Sequence, residues 1–298
     1  MEDVVRLVVD GVSQTYPDGT QALTDVSLEV RKGEFAGILG YNGSGKTTLL
    51  KVMDGLIRDF RGNVFLDGRE IRDITAREIY RKMGIVFQNP NDQLFASTVF
   101  EDVAFGPINM GFREEEVVRR VDRALRDVDM EGFARKAIHH LSFGEKKRVC
   151  IAGLLSMGHE ILLLDEPTAG LDPLGEYHLM NLLRRLNKEK GVTVVMATHS
   201  VDMVPLFLDT LYILNGGRVV SSGAPTEVFR TPEGMGEAGL RLPLVSELIY
   251  RLKHEDGMPF EKVPLTIGEA RREIIRAFEK GHFFSEEADA RPPREAKG

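Results

Sequence analysis

The run Gly40-Tyr41-Asn42-Gly43-Ser44-Gly45-Lys46-Thr47 fits the pattern G-x-x-x-x-G-K-[ST], and its flanks restrict the fold more than any other stretch of the chain. Phe35-Ala36-Gly37-Ile38-Leu39 precedes it and is short enough for a buried strand; Thr48-Leu49-Leu50-Lys51-Val52-Met53 follows and reads as a helix. Strand, glycine loop and helix in that order predict an α/β domain. The glycines remove the Cβ atoms that would keep the loop's N–H groups from turning inward, and the helix N-terminus adds partial positive charge. Such a loop is a phosphate nest. Gly40, Asn42, Gly43, Ser44, Gly45, Lys46, Thr47 and Thr48 are therefore the expected nucleotide-binding set, with Lys46 reaching the β/γ-phosphates and Thr47 Oγ1 binding Mg²⁺.

At 298 residues the chain has room for one large α/β domain and a small appendage. Its net charge of −7 argues against a nucleic-acid partner, which needs a basic face. No apolar stretch approaches the roughly 18 to 20 residues that span a bilayer, and Met1-Glu2-Asp3 is acidic where a signal peptide is basic. A soluble cytoplasmic protein is expected. The single cysteine, Cys150, falls in an apolar helical stretch and reads as a small core residue.

Residues 4–16 and 26–30 pattern as strands around the turn Pro17-Asp18-Gly19, an antiparallel start to the chain. Two roles fit Tyr16 at the end of the first strand: a ring stacked on a nucleotide base, or one half packed in the sheet. Residues 62–68 read as strand and turn, 75–83 as helix, and Gly84-Ile85-Val86-Phe87 as a buried strand with Gln88 at its exit. A loop, Asn89-Pro90-Asn91-Asp92-Gln93, leads into an apolar segment with Phe95, Phe100 and Phe105 and a break at Gly106-Pro107. Val117, Val121, Ala124, Leu125 and Val128 recur at helical spacing within 113–129, so residues 89–140 form a helical insertion.

Leu141-Ser142-Phe143-Gly144-Glu145 opens the next helix, with Ser142 and Glu145 spaced as a capping box. The apolar strand 160–164 then delivers Asp165 and Glu166, stopped by Pro167. Adjacent carboxylates at the exit of a buried strand are costly unless something positive, such as Mg²⁺, sits beside them. Asp172-Pro173 predicts an N-cap for a helix running to 190, followed by a buried strand over 192–197 that ends in Thr198-His199-Ser200. Residues 211–214 and 218–221 make a hairpin. Composition shifts after Gly223: short helices over 225–229, 244–252 and 268–280, the last capped by Thr266 with Glu269 and stopped by Gly281, predict a small domain over 224–284. The charged tail 285–298 is expected to be disordered.

In order, the phosphate loop, Gln88, Leu141 to Glu145, Asp165-Glu166, Ala169-Gly170-Leu171-Asp172 and His199 resemble the nucleotide-binding subunit of ATP-binding-cassette transporters, over about residues 3–223. The fold implied is a P-loop NTPase core, a mixed sheet with flanking helices, plus an antiparallel β subdomain, the helical insertion and the small C-terminal helical domain, the cassette spanning 1–223. The wording around Gln88 and at Val103-Ala104-Phe105-Gly106-Pro107 is similar to the energy-coupling-factor branch, which imports cobalt, nickel or vitamins, and Leu240-Arg241-Leu242-Pro243 is similar to its cobalt-type member.

The resemblance implies roles for residues already singled out. Tyr16 would stack on adenine, Lys46 and the loop amides would hold the phosphates of ATP, and Thr47, Gln88 and Asp165 would serve Mg²⁺. Glu166 would be the general base, with His199, Gln88 and Lys46 completing the catalytic set, and Asp172 would belong to the nucleotide site. Ser142 and Gly144 of a second subunit would close over the γ-phosphate, making a head-to-tail dimer with itself or a sister ATPase. An integral membrane coupling subunit would dock near Gln88 and the phenylalanines, beside a separate substrate-binding membrane subunit, placing the chain on the cytoplasmic face of the membrane. Those phenylalanines equally fit the insertion's own core. The family's usual Leu-Ser-Gly-Gly-Gln is Leu-Ser-Phe-Gly-Glu here, which would set Phe143 and a carboxylate near the partner's phosphates unless Glu145 folds back as a cap. His139 and His140 are adjacent and read as structural. A soluble cassette ATPase of DNA maintenance or translation is the alternative, but the sequence has no long coiled-coil arm, tandem cassette or basic surface; a small-molecule kinase leaves Ser142, Asp172 and His199 unexplained.

Overall fold

The structure is a computed structural model that describes residues 4–229, 235 and 239–279. The acidic start at 1–3, the stop at Gly281 and the tail 285–298 lie outside the described residues.

The chain opens with a long antiparallel pair, β1 (Val5–Thr15) and β2 (Gln21–Arg31), joined through the turn after Tyr16. β3 (Phe35–Leu39) is buried along its whole length and feeds the glycine loop into α1 (Lys46–Met53). After β4 (Arg61–Leu66) and the two-residue β5 (Arg69–Glu70) come α2 (Ala76–Ile79) and β6 (Met83–Val86). The insertion holds α3 (Val99–Asn109) and α4 (Glu114–Asp127), both packed on α5 (Phe143–Met157). β7 (Ile161–Asp165), α6 (Pro173–Lys190), β8 (Thr193–Thr198), α7 (Val204–Phe207) and the hairpin β9 (Thr210–Asn215) and β10 (Arg218–Gly223) complete the cassette, and α8 (Pro225–Val228) follows.

Among the described residues these strands form two sheets, a four-stranded one in the order β2-β1-β4-β5 and a six-stranded one in the order β10-β9-β3-β8-β7-β6. Neighbours from β9 to β6 in the second sheet pair in parallel, so β3, β6, β7 and β8 end on one edge. That edge is where Gly40, Gln88, Glu166 and His199 emerge. Strands buried on both faces read as continuous apolar runs, which is why this sheet was legible. Alternate residues serve opposite cores: Leu163, Val195, Ala36 and Ile38 face α1 and the antiparallel sheet, while Leu162, Leu164, Val194 and Met196 face the helices α3 to α6. α4 puts Val117, Val121, Ala124 and Leu125 on its buried stripe, as the spacing predicts.

Three local expectations are corrected. The helix expected over 75–83 is a single turn, α2, because Met83 already pairs with Ile161 and the sheet recruits the segment. Gly106-Pro107 does not break α3; both residues lie inside it. Proline lacks the N–H that would bond Val103 O one turn earlier, and Ser156 Oγ on α5 donates to that carbonyl instead, at 2.8 Å. Thr266 Oγ1 accepts from Glu269 N at 3.2 Å as expected, but the Glu269 carboxylate accepts from Leu265 N rather than from Thr266 N, so the cap is offset.

Beyond residue 223, Phe229 and Leu242 join the core of the cassette, whereas the helices Leu244–His254 and Ile267–Glu279 close around a small core of Ile249, Phe260, Ala270 and Ala277. A chain ending at Gly223 is expected to keep nucleotide binding while melting at least about 15 °C lower, since Val228, Phe229, Met235, Leu242 and Leu265 all leave the cassette core, each contributing about 1.5 to 3 kcal/mol. Nucleotide titration and thermal melts check this, and lost binding would move the boundary past 223.

Candidate active site

The glycine loop is tight enough to dictate its residues. A Cβ on Gly40 would lie 2.4 Å from Leu214 O, and Gly45 combines φ of 104° with a Cβ position 2.5 Å from Ala22 O. Neither position has room for a side chain. Inside the loop, Lys46 Nζ donates to Gly40 O at 2.8 Å and to Tyr41 O at 3.1 Å, and Ser44 Oγ is buried without a partner. Asn42 and Gly43 face outward, exposed. Thr48 is buried in the first turn of α1 and its hydroxyl meets Tyr16 Oη at 3.0 Å, so the half-buried Tyr16 ring is anchored beside the loop.

Next to Lys46, Thr47 Oγ1 donates to Asp165 Oδ2 at 2.7 Å, while Asp165 Oδ1 is buried with no partner. Burial raises the Asp165 pKa and the Glu166 charge adds to this, against the Thr47 hydrogen bond. A hydroxyl and an under-partnered carboxylate oxygen side by side suit a hard cation, so Thr47 and Asp165 fit Mg²⁺. Glu166, one residue on, has φ of 47°, a left-handed conformation costing on the order of 1 kcal/mol or more for a residue with a Cβ. Its buried carboxylate lies between two cationic or titratable groups: Oε1 is 3.3 Å from Lys46 Nζ and Oε2 is 2.9 Å from Nδ1 of the half-exposed His199. A carboxylate hydrogen-bonded through Oε2, with Oε1 buried beside Lys46 but without a hydrogen bond, and set beside the glycine loop can accept a proton from a water.

Gln88 stands where the sequence put it, at the exit of β6, but its side chain is exposed and no hydrogen bond among the described residues joins its amide to Thr47 or Asp165. Its carbonyl is engaged instead, by Lys147 Nζ.

A family model described as ABC transporter matches residues 23–169. A putative ABC transporter ATP-binding protein of Geobacter sulfurreducens is 66% identical over 275 residues, covering 92% of this chain and 99% of that protein. The chain belongs to the ABC transporter family. The energy-coupling factor transporter ATP-binding protein EcfA of Methanocaldococcus jannaschii is 49% identical over 87% of this chain and 93% of its own length. Among solved structures, cbiO1 of Clostridium perfringens, described as part of the ABC transporter complex cbiONQ, matches with a TM-score of 0.73 at 42% identity, covering 84% of this chain and all of that one, 100%. A dimeric ATP-binding cassette in a post-hydrolysis state with ADP and Pi matches at 0.66 and 32% identity, over 74% of this chain and 98% of that one. The chain is thus an ABC-type ATPase.

Of the residues that the resemblance would give to a second subunit of this ABC cassette, Ser142 is exposed and Gly144 half-buried. Ser142 N-caps α5 in a full capping box: its Oγ accepts from Glu145 N at 3.2 Å, and Glu145 Oε2 accepts from Ser142 N at 2.7 Å. Glu145 also pairs with Lys136 at 3.3 Å, and against the effect of its partial burial these bonds hold its carboxyl below the ordinary glutamate range. Its charge is therefore turned onto its own chain. Phe143 is half-buried against Gly170, and Gly144 follows in the first turn of α5. Asp172 is exposed and caps α6, its Oδ1 accepting from Gly175 N at 2.6 Å.

Sequence reasoning missed Lys147. It is wholly buried, and burial lowers its pKa to about 8 even though the charges of Asp165 and Glu166 favour its protonated form. The available signal was its spacing: Lys147 shares the stripe of Cys150, Ile151 and Leu154 on α5. His139 and His140 are exposed and their rings meet edge to face at 4.1 Å, and no cluster of three metal-ligating residues occurs among the described residues.

On the flank of the Gln88 loop a groove of about 630 Å³ is lined by Ile85, Leu94, Phe95, Phe105, Met157 and Asp54. Phe95 and Phe105 are 65% and 51% exposed and meet edge to face at 4.7 Å, whereas Phe100 packs against the main core. Asp54 caps the C-terminal end of α1, where the helix dipole disfavours a negative charge; burial lifts its pKa to about 7, and its Oδ1 has no partner. The unfolded chain ionises Asp54 near the ordinary aspartate pKa of 3.8, before the folded one does, so its ionisation removes stability as pH rises from about 4 to 7. Asp54→Asn is expected to stabilise the fold by an amount that grows by about 2 to 3 kcal/mol between about pH 5 and pH 8, and urea unfolding at the two pH values checks it.

Proposed function

We propose that this chain is the ATP-hydrolysing subunit of an energy-coupling-factor importer, driving uptake of a metal ion, cobalt before nickel or a vitamin, through separate membrane subunits. The observation that carries the hydrolytic reading is the Glu166 carboxylate, buried between Lys46 at 3.3 Å and His199 at 2.9 Å beside the phosphate loop. The loop amides and Lys46 bind the phosphates, the Lys46 ammonium leaving the carbonyls of Gly40 and Tyr41 to do so. Thr47 and Asp165, with Gln88 brought in from its exposed position, would hold Mg²⁺, which would supply positive charge beside the phosphate oxygens. Water attacks the γ-phosphorus, its proton passes to a Glu166 oxygen, and the bond to the bridging oxygen breaks to release ADP and inorganic phosphate. His199 orients that carboxylate and contacts the γ-phosphate, and Tyr16 stacks on the adenine.

A single chain leaves the γ-phosphate open on one side. The exposed α5 N-terminus of a second copy or sister ATPase, with Ser142, Gly144 and roughly half a positive charge, closes it, and Asp172 completes that interface. The apolar groove with Phe95 and Phe105 receives a short helix of the membrane subunit at the cytoplasmic face. Likeness to EcfA and cbiO1 supports the importer class, and the likeness to cbiO1 together with the Leu240 to Pro243 segment supports cobalt. Among the described residues no helix is long and apolar enough to cross a membrane, consistent with membrane spans supplied by other chains.

Glu166→Gln is expected to bind Mg-ATP with unchanged affinity and to lose roughly two to four orders of magnitude in turnover; wild-type turnover would remove the role given to Glu166. Ser142→Arg should bind ATP as a monomer yet fail to dimerise with it, measured by size-exclusion chromatography of the hydrolysis-deficient Glu166→Gln background. The importer reading is tested by recovering the chain from detergent-solubilised native membranes. A polytopic membrane protein that co-purifies, and is lost with Phe105→Glu, supports it; soluble or nucleic-acid-associated partners alone would favour a cassette of DNA maintenance or translation. Cobalt and nickel uptake by cells lacking the chain distinguishes the cargo.

A further inference from the structure

Lys147, in the second turn of α5, is fully buried. A buried ammonium is tolerated only when its donors are satisfied, and a methionine would fill the same space without the desolvation cost. Among the described residues no carboxylate pairs with it. Its donors go instead to two main-chain carbonyls, Gln88 O and, at 3.3 Å, Glu166 O, and the Phe143 ring centre lies 5.5 Å from Nζ. These two carbonyls leave the adjacent parallel strands β6 and β7 at the edge where ATP is hydrolysed. The next lysine back, Lys146, makes a second tie from α5 to the same loop, donating to Asn91 Oδ1 at 2.7 Å.

We propose that Lys147 is a positioning residue for Glu166, locking its peptide to the Gln88 loop and to the first turns of α5, so that hydrolysis runs at full rate only when α5 is seated. The inference rests on Glu166 being the proton acceptor. Glu166 holds a left-handed backbone, φ 47°, fixed by few bonds: its N–H donates to Ala197 O at 3.0 Å, and its carbonyl accepts from Ala169 N at 3.1 Å and from Lys147. Rotation of that peptide would carry the carboxylate off Lys46 and His199. Because α5 also presents Ser142, the same ammonium joins the hydrolytic carboxylate of a chain's own site to the helix that completes its partner's site. Lys147 touches neither the glycine loop nor Thr47, so its removal bears on turnover and not on ATP affinity.

The test is a double-mutant cycle in the full-length dimer, with kcat and KM for ATP read in each variant and single-turnover release of labelled phosphate used where rates are low. Lys147→Met is expected to lower kcat by roughly 10- to 100-fold with KM within about twofold, the loss typical of a misplaced reacting group. Lys147→Gln, which keeps N–H donors, should recover part of that rate. In the Glu166→Gln background Lys147→Met should cause no further fall. Wild-type kcat in Lys147→Met, a raised KM at unchanged kcat, or a full additional loss in the Glu166→Gln background would each overturn the proposal. Should Lys147→Met not fold by thermal melt, the cycle is run with Lys147→Leu, which also removes the donors and where wild-type kcat or additivity with Glu166→Gln has the same overturning force. Wild-type turnover in Glu166→Gln alone would instead overturn the assignment of Glu166, so the two failures are distinct.

Discussion

Two adjacent carboxylates, Asp165 and Glu166, leave a strand buried along its whole length, and the surroundings of the site are arranged to hold that charge. A low-dielectric interior tolerates it only with compensating partners, and the two carboxylates find different ones. Asp165 takes the Thr47 hydroxyl on one oxygen and keeps the other free for a cation. Glu166 takes Lys46 and His199. The partners come from two elements: the start of α1 supplies Thr47 and Lys46, and the end of β8 supplies His199. The parallel sheet makes this possible, because strands running one way deliver their last residues to one edge.

α5 is the second organising element, and its sequence carries three demands at once. Its first residues form a cap that turns the Glu145 carboxylate inward and leaves the N-terminal N–H groups of Phe143 and Gly144 without intrahelical acceptors. Its buried Val149, Ile151 and Leu154, on more than one face, pack into the core that joins the insertion to the sheet. Between the two sits Lys147, charged yet buried. Helix propensity alone would be met by many sequences; the position of the lysine is explained by the carbonyls at the ends of two strands.

How much of this was legible follows from which forces are local. The parallel strands were readable because burial on both faces leaves an unbroken apolar run, and the glycine loop was readable because Gly40 and Gly45 have no steric alternative. Capping at Ser142 and Asp172 is local and was read correctly from spacing. Contacts distant in sequence were not visible. The short α2 depends on Met83 finding Ile161, and the unbroken α3 depends on Ser156, 53 residues from Val103, supplying the donor that Pro107 lacks. Lys147 and Asp54 were missed for the same reason: nothing near them in sequence announces a carbonyl partner for one or a missing partner for the other.

The departure from the usual Leu-Ser-Gly-Gly-Gln has a structural consequence that runs in the opposite direction from a clash with the partner's phosphates. Phe143 lays its ring against Gly170, so close that a Cβ there would stand 3.0 Å from a ring carbon. Gly170 belongs to the turn that delivers Asp172 to the start of α6, and its φ of 80° is one that only glycine adopts freely. The ring therefore fills the gap between the two exposed helix starts, those of α5 and α6. A glycine at 143 would leave these ends free to shift against each other. With phenylalanine they are packed as a unit, and Lys147 ties that unit to the backbone of Glu166. In the proposed dimer, a partner that seats on Ser142 and Asp172 would press on a rigid corner whose other end is the Glu166 carboxylate, proposed as the proton acceptor, so closure would have a mechanical route into the chemistry.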